Sequence, residues 1–114
     1  MKLEFVYVPV ARLDEALSLY RDDLGLSEAW REGETTVALD LPDSDVKLML
    51  DVVESNARPG PFFVVDSVEA FQSDHPGLSY DGDPLEIPGG WMTSFSDPWG
   101  NAVYLMDQST TDAT

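Results

Sequence analysis

The side chains of this 114-residue chain that could do acid–base or nucleophilic chemistry are few and scattered. There is one histidine, His75, set between Asp74 and Pro76 at an expected helix end. An imidazole beside the negative pole of a helix is an ordinary surface group. With no cysteine, the chain has no thiolate nucleophile, no sulfur metal site and no disulfide framework. Ser94 and Ser96 carry hydroxyls, but a triad would have to bring His75 from a distant loop, and neither serine lies in a nucleophile elbow. Asp40 and Glu86 are the other possible bases, and Glu86, after Leu85 in a short strand, reads as solvated. The stretch "IPGGW" lacks the lysine and the helix that a phosphate-cradling loop needs. No residue is thereby marked as catalytic.

Charge narrows the partners. Twenty-two acidic residues stand against six basic ones, a formal charge of −16. Such a chain repels phosphates, so nucleic acid and anionic membranes are poor partners. The acids are scattered (Asp22, Asp23, Asp43, Asp45, Asp81, Asp83). They form either a solvated shell suited to high salt or a field that attracts a cationic ligand, and their scatter favours the shell and a halophilic source. "MKLEFVYVPV" is too short and too alternating for a signal peptide, and no apolar run approaches transmembrane length. A cytoplasmic protein is expected. The hydrophobic fraction of 43% fits one folded globular domain.

The elements that must position any site follow from periodicity. Lys2 to Val10 alternates and is rich in β-branched and aromatic residues, which predicts a strand. Leu13, Ala16, Leu17, Tyr20 and Leu24 fall at helical spacing, with Gly25 placed to end the helix. "LSEAWRE" and "TTVALDL" form a hairpin across Glu32-Gly33-Glu34, and "VKLMLDV" is a further strand. After the linker-like "NARPGP", the order repeats. "FFVVD" is a strand, Ser67 caps a short helix ending at "DHPG", and "LSY", "PLEI", "WMTSF" and "AVYLMD" supply strands. Gly25-Leu26-Ser27 recurs as Gly77-Leu78-Ser79, and "KLMLD" loosely as "VYLMD". The expected organisation is a βαβββ module over 1–55, a linker over 56–61, a second module over 62–107 and a frayed tail over 108–114.

Near the end, "FSDPWGNAVYLMD" sets dense turn chemistry directly before the last strand. Asp97 can bond forward to backbone amides, Pro98 pre-sets φ, and Gly100 takes a conformation other residues resist. This turn, the paired modules and the helix "VARLDEALSLYRDDLGL" together resemble the vicinal oxygen chelate superfamily over about Lys2 to Asp107. That group includes glyoxalase I, extradiol dioxygenases, fosfomycin-resistance enzymes and bleomycin-resistance binding proteins. The resemblance implies an α+β fold of two βαβββ modules, a curved mixed sheet around a cup with helices on its outer face, and a homodimer.

It also implies four positions for metal ligands, usually His or Glu. Here they carry Phe5, Leu48 (with Met49 the neighbouring register), the vicinity of Gly60, and Tyr104. None is a donor suited to a hard or borderline divalent ion, so neither a metal nor another cofactor is expected. By strand alternation Phe5, Tyr7, Phe62 and Tyr104 face the cup, Leu48 joins them, and Trp30 and Trp91 lie on its wall strands. These seven form the expected lining for a flat or cationic small molecule, held by stacking and cation–π attraction. Two alternatives remain: a metal-dependent lyase, isomerase or dioxygenase with a differently placed metal site, and a partner-binding dimer whose cup is filled by its own rings.

Overall fold

Alternation in the first strand separates its side chains into two sets, and the computed structural model, which describes residues 1–53 and 56–110, shows where each set goes. In β1 (Lys2–Val10), Val8 and Val10 pack with Leu13, Ala16 and Leu17 of the short helix α1 (Leu13–Leu17). Phe5 and Tyr7, of opposite parity, lie on the other face. The chain then makes a hairpin of β2 (Ser27–Glu32) and β3 (Thr36–Asp40), turned at Gly33 with φ 59°, and continues into β4 (Lys47–Val52). The strand order is β2-β3-β4-β1, with β1 and β4 parallel and the remaining pairs antiparallel. Val37, Leu39 and Leu50 are fully buried beneath α1.

The helix was expected to run unbroken to Leu24. Its last turn, Ser18–Asp23, is instead π-wound, with the Leu24 amide donating to the Leu19 carbonyl at 3.0 Å. The wider turn keeps Tyr20 against the core but leaves Leu19 and Leu24 in solvent. Gly25, at φ 78°, then reverses the chain as its type predicts.

The second module repeats the plan. Its elements are β5 (Gly60–Val64), α2 (Val68–Asp74), β6 (Ser79–Tyr80), β7 (Leu85–Ile87), β8 (Gly90–Ser96) and β9 (Ala102–Met106). The order β5-β9-β8-β6 again pairs first and last strands in parallel, and β7 adds to β8. Ser67 caps α2 as expected, its Oγ accepting from the Ala70 amide. Val65, Val68 and Leu105 form the core under this helix, with Phe63, Phe71, Trp91 and Phe95 around them. The α+β class and its paired modules on the βαβββ plan are thus as the sequence implied, with the short β7 an additional strand in the second.

Two compact units result, Glu4–Pro59 and Gly60–Thr114 with Met1–Leu3. Because β5 begins at Gly60, two residues expected in the linker belong to a strand. The boundary expected after residue 55 touches 54–55, which lie outside the described residues, as does the end of the expected tail, 111–114. The start of that tail is tied down: Ser109 bonds Asp107 through both its amide and its hydroxyl, and the Thr110 amide reaches the Gly89 carbonyl. Among the described residues, no helix is long and apolar enough to cross a membrane.

Candidate functional site

The turn before β9 is built as its residues dictate. Asp97 Oδ1 accepts from the amides of Trp99 (2.9 Å) and Asn101 (2.8 Å), and Oδ2 accepts from Asn101 Nδ2. Gly100 sits at φ 87°. This cage sets the start of β9, whose Tyr104 pairs with Phe62 of β5 across the parallel ladder. The two rings stack with centroids 5.6 Å apart and planes 19° from parallel.

In the first module, the face away from α1 carries Phe5, Tyr7, Trp30, Ala38, Met49 and Asp51, by register from β2 to β1. Ala38 sits opposite Trp30, and the indole meets Phe5 edge-on, with centroids 5.9 Å apart. Tyr7 donates its hydroxyl to Asp51 Oδ2 (2.5 Å), and Thr36 Oγ1 donates to Oδ1 (2.7 Å). In the second module, the corresponding face holds Phe62, Tyr104, Met92 and the two serines of β8. Ser94 Oγ and Ser96 Oγ donate to the two oxygens of Asp81 (2.8 and 3.0 Å). Each module therefore presents an aromatic pair beside a carboxylate oriented by two hydroxyls.

Of the seven residues expected to line a site, five lie on these faces: Phe5, Tyr7 and Trp30 in one module, Phe62 and Tyr104 in the other. Two do not. Leu48 packs among the residues beneath α1, beside Val8 and Val10, and Met49 takes the position foreseen for it. Trp91 packs against Val65, Val68 and Leu105 under α2. Both corrections have one cause: a strand's side-chain period is two, so a one-residue error in phase exchanges the faces. The match of "KLMLD" to "VYLMD" is one residue out of phase in the fold. Parallel pairing makes Met49 opposite Tyr7 the counterpart of Tyr104 opposite Phe62. The same slip hid Asp51, which alternation from Met49 would have found.

Phe5, Tyr7 and Phe62 are each under a tenth exposed, whereas Trp30 keeps 38% of its surface in solvent and Tyr104 is half-buried. Around the rim of the first module, hydrogen bonds from Arg31 and then Arg21 hold the Glu28 carboxyl below its ordinary value. Arg21 also pairs with Asp22, lowering that carboxyl.

The metal of the family's enzymes does not fit this donor set. Phe5 offers no donor, Met49 only a soft thioether unsuited to a hard or borderline divalent ion, and Tyr104 only a phenol. At Gly60 a side chain could be carried only if the backbone shifted, because a Cβ there would lie 2.1 Å from the Ala102 carbonyl oxygen. Among the described residues, no three His, Cys, Asp or Glu gather where they could hold an ion.

Comparison with known proteins agrees on the family. The model described as "Glyoxalase/Bleomycin resistance protein/Dioxygenase superfamily" matches residues 2–105. No protein of curated function matches the sequence. Among solved structures, a Legionella pneumophila chain described as an NAD-dependent benzaldehyde dehydrogenase superposes with TM-score 0.72 at 17% identity, over 90% of this chain and 96% of that one. Methylmalonyl-CoA epimerase from Streptomyces coelicolor gives 0.70 at 16%, over 96% and 98%. The Mycobacterium tuberculosis epimerase gives 0.63 at 18%, over 93% and 87%. At such identities these likenesses show the fold alone.

Proposed function

We propose that this chain, which belongs to the Glyoxalase/Bleomycin resistance protein/Dioxygenase superfamily, binds a small aromatic or cationic molecule and does so without the divalent centre of the superfamily's enzymes. The observation that supports this reading is the donor set: with the strand register as observed, the four positions that the resemblance marks for ligands fall at Phe5, Met49, Gly60 and Tyr104, and a Cβ at Gly60 would collide with the Ala102 carbonyl oxygen. What stands there instead suits a flat molecule with a polar or cationic group. Trp30 retains open ring surface, Tyr104 is half-buried against Phe62, and Asp51 and Asp81 are held in fixed orientation by their hydroxyl donors. The buried rings Phe5, Tyr7 and Phe62 form the support behind them.

A homodimer in the cytoplasm is part of this reading; Trp99, 83% exposed on its caged turn, is the residue best placed to meet a second copy. Burial of Phe5, Tyr7 and Phe62 favours a second reading, a partner-binding module whose inner rings serve only as core. Fluorescence separates the two. In a variant with Trp91 and Trp99 replaced by Phe, Trp30 is the sole indole. Saturable quenching by members of a panel of aromatic cations supports the binding reading. A flat response to the whole panel, from a variant that remains folded, supports the partner-binding one.

A further inference from the structure

The second module has a cavity that the inner-face reading does not use. It lies on the α2 side of the sheet, has a volume of about 390 Å³, and is lined by Val68, Glu69, Gln72, Pro84, Trp91 and Asp107 with two serines. That volume falls in the range of small-molecule sites. Its walls come from four separate segments, and one carboxylate ties three of them together. Asp107 Oδ2 accepts from the Val68 amide at the start of α2 (2.7 Å). Its Oδ1 accepts from the Trp91 amide of β8 (2.9 Å) and from Ser109. Gly90 makes this possible, since a Cβ there would meet the Asp107 carbonyl oxygen at 2.1 Å and its Oδ1 at 2.6 Å. The hollow is therefore preformed.

Its electrostatics select one sign of ligand. The first-turn amides of α2 are largely consumed: Val68 donates to Asp107, Ala70 to Ser67 Oγ, and Phe71 to the Ser67 carbonyl. Little of the helix's positive end is left for an anion. Asp107 adds a full negative charge at the back of the cavity, and Glu69 adds another at its mouth. Residues 60–114 carry nine Asp and Glu and no Lys or Arg, so Lys2, on the N-terminal residues that join this unit, is its single Lys or Arg against that acidic excess. The floor is apolar, formed by Val68, Pro84 and the flank of Trp91. Gln72, half-buried one turn after Glu69, supplies a neutral amide.

We infer that this cavity is a second binding site, for a compact organic cation whose apolar body lies against Trp91 and whose charge lies between Glu69 and Asp107. The test uses the ¹H–¹⁵N spectrum of the full-length protein, in which three indole signals report three places. Trp91 reports the cavity, Trp30 the inner face of the first module, and Trp99 the exposed turn. Benzyltrimethylammonium is the probe, with benzyl alcohol and benzoate as neutral and anionic controls. The cation is expected to shift the Trp91 indole and the Gln72 side-chain amide saturably, and benzoate to leave both in place. Glu69→Gln should weaken binding about threefold and Gln72→Glu should tighten it by a similar factor; Glu69 is exposed and Gln72 half-buried on α2, and the spectrum itself shows that each variant is folded. A still Trp91 signal overturns the inference, as does an equal response to benzoate or an affinity indifferent to both substitutions. Movement of Trp30 alone would leave the inner-face reading standing and remove this one, and movement of Trp91 alone would do the reverse.

Discussion

Replacing Asp107 by Asn tests how much of the second module hangs on one carboxylate. Asp107 is 1% exposed and satisfies four donors. Asn keeps one oxygen acceptor, which best serves the Trp91 and Ser109 donors. Its NH₂ then faces the Val68 amide, donor against donor. Val68 is fully buried, so that amide loses its partner. The penalty for one such group is roughly 1–3 kcal/mol, and the bonds that remain lose their charge assistance. The total is about 2–4 kcal/mol, a fall in Tm of roughly 8 °C or more for a chain of this length. Burial alone would raise the Asp107 carboxyl, but the hydrogen bonds from Val68, Ser109 and Trp91 outweigh it and hold the group below its ordinary value. A lowered carboxyl stabilises the fold fully above its unfolded pKa, near 3.9, and loses that contribution as pH falls through the folded value. Urea unfolding of both proteins should therefore show a constant gap from neutral pH to about pH 5, narrowing only in stronger acid. A gap below about 0.5 kcal/mol at neutral pH, or one that persists unchanged into strong acid, would refute the reasoning.

Gly60→Ala should cost about 1–3 kcal/mol, because its methyl would be forced onto the Ala102 carbonyl, whereas Gly77→Ala, with open space around it, should stay within about 0.5 kcal/mol. Equal effects in chemical denaturation would show that Gly60 is not constrained. Tyr7→Phe removes one of the two hydroxyl donors to Asp51 and should destabilise by about 1.5 kcal/mol, with the thermal midpoint as readout. Raising KCl from about 0.1 M to 1 M shortens the screening length from about 10 Å to 3 Å, so a chain of −16 should gain stability steadily over that range. A urea midpoint that does not respond to salt would remove the high-salt interpretation of its acidity.

Local chemistry was the legible part of this molecule. The Asp97 turn, the Ser67 cap, the Gly25 reversal and the paired modules all follow from short-range rules, and each is where those rules put it. The inner-face rings were legible where strands alternate clearly, as in β1. They were not legible in "KLMLDV", where three consecutive apolar residues hide the phase, or in β8, where Trp91 and Met92 are both large. Only pairing with neighbouring strands decides such cases, and it exchanged Leu48 for Met49 and sent Trp91 under α2. The π turn escaped for a related reason, since Leu19, Tyr20 and Leu24 suit either winding until the core selects Tyr20. The cavity beside Asp107 joins segments some forty residues apart, which no window of sequence brings together.

Metal content tests the central claim most directly. The protein should be purified without chelators from cells supplied with nickel, zinc, manganese and iron, then assayed by mass spectrometry for bound metal per chain. Amounts far below one per chain, unchanged by Tyr104→Phe, are the predicted result. Close to one transition ion per chain, retained through dialysis and lost in Tyr104→Phe, would contradict the account.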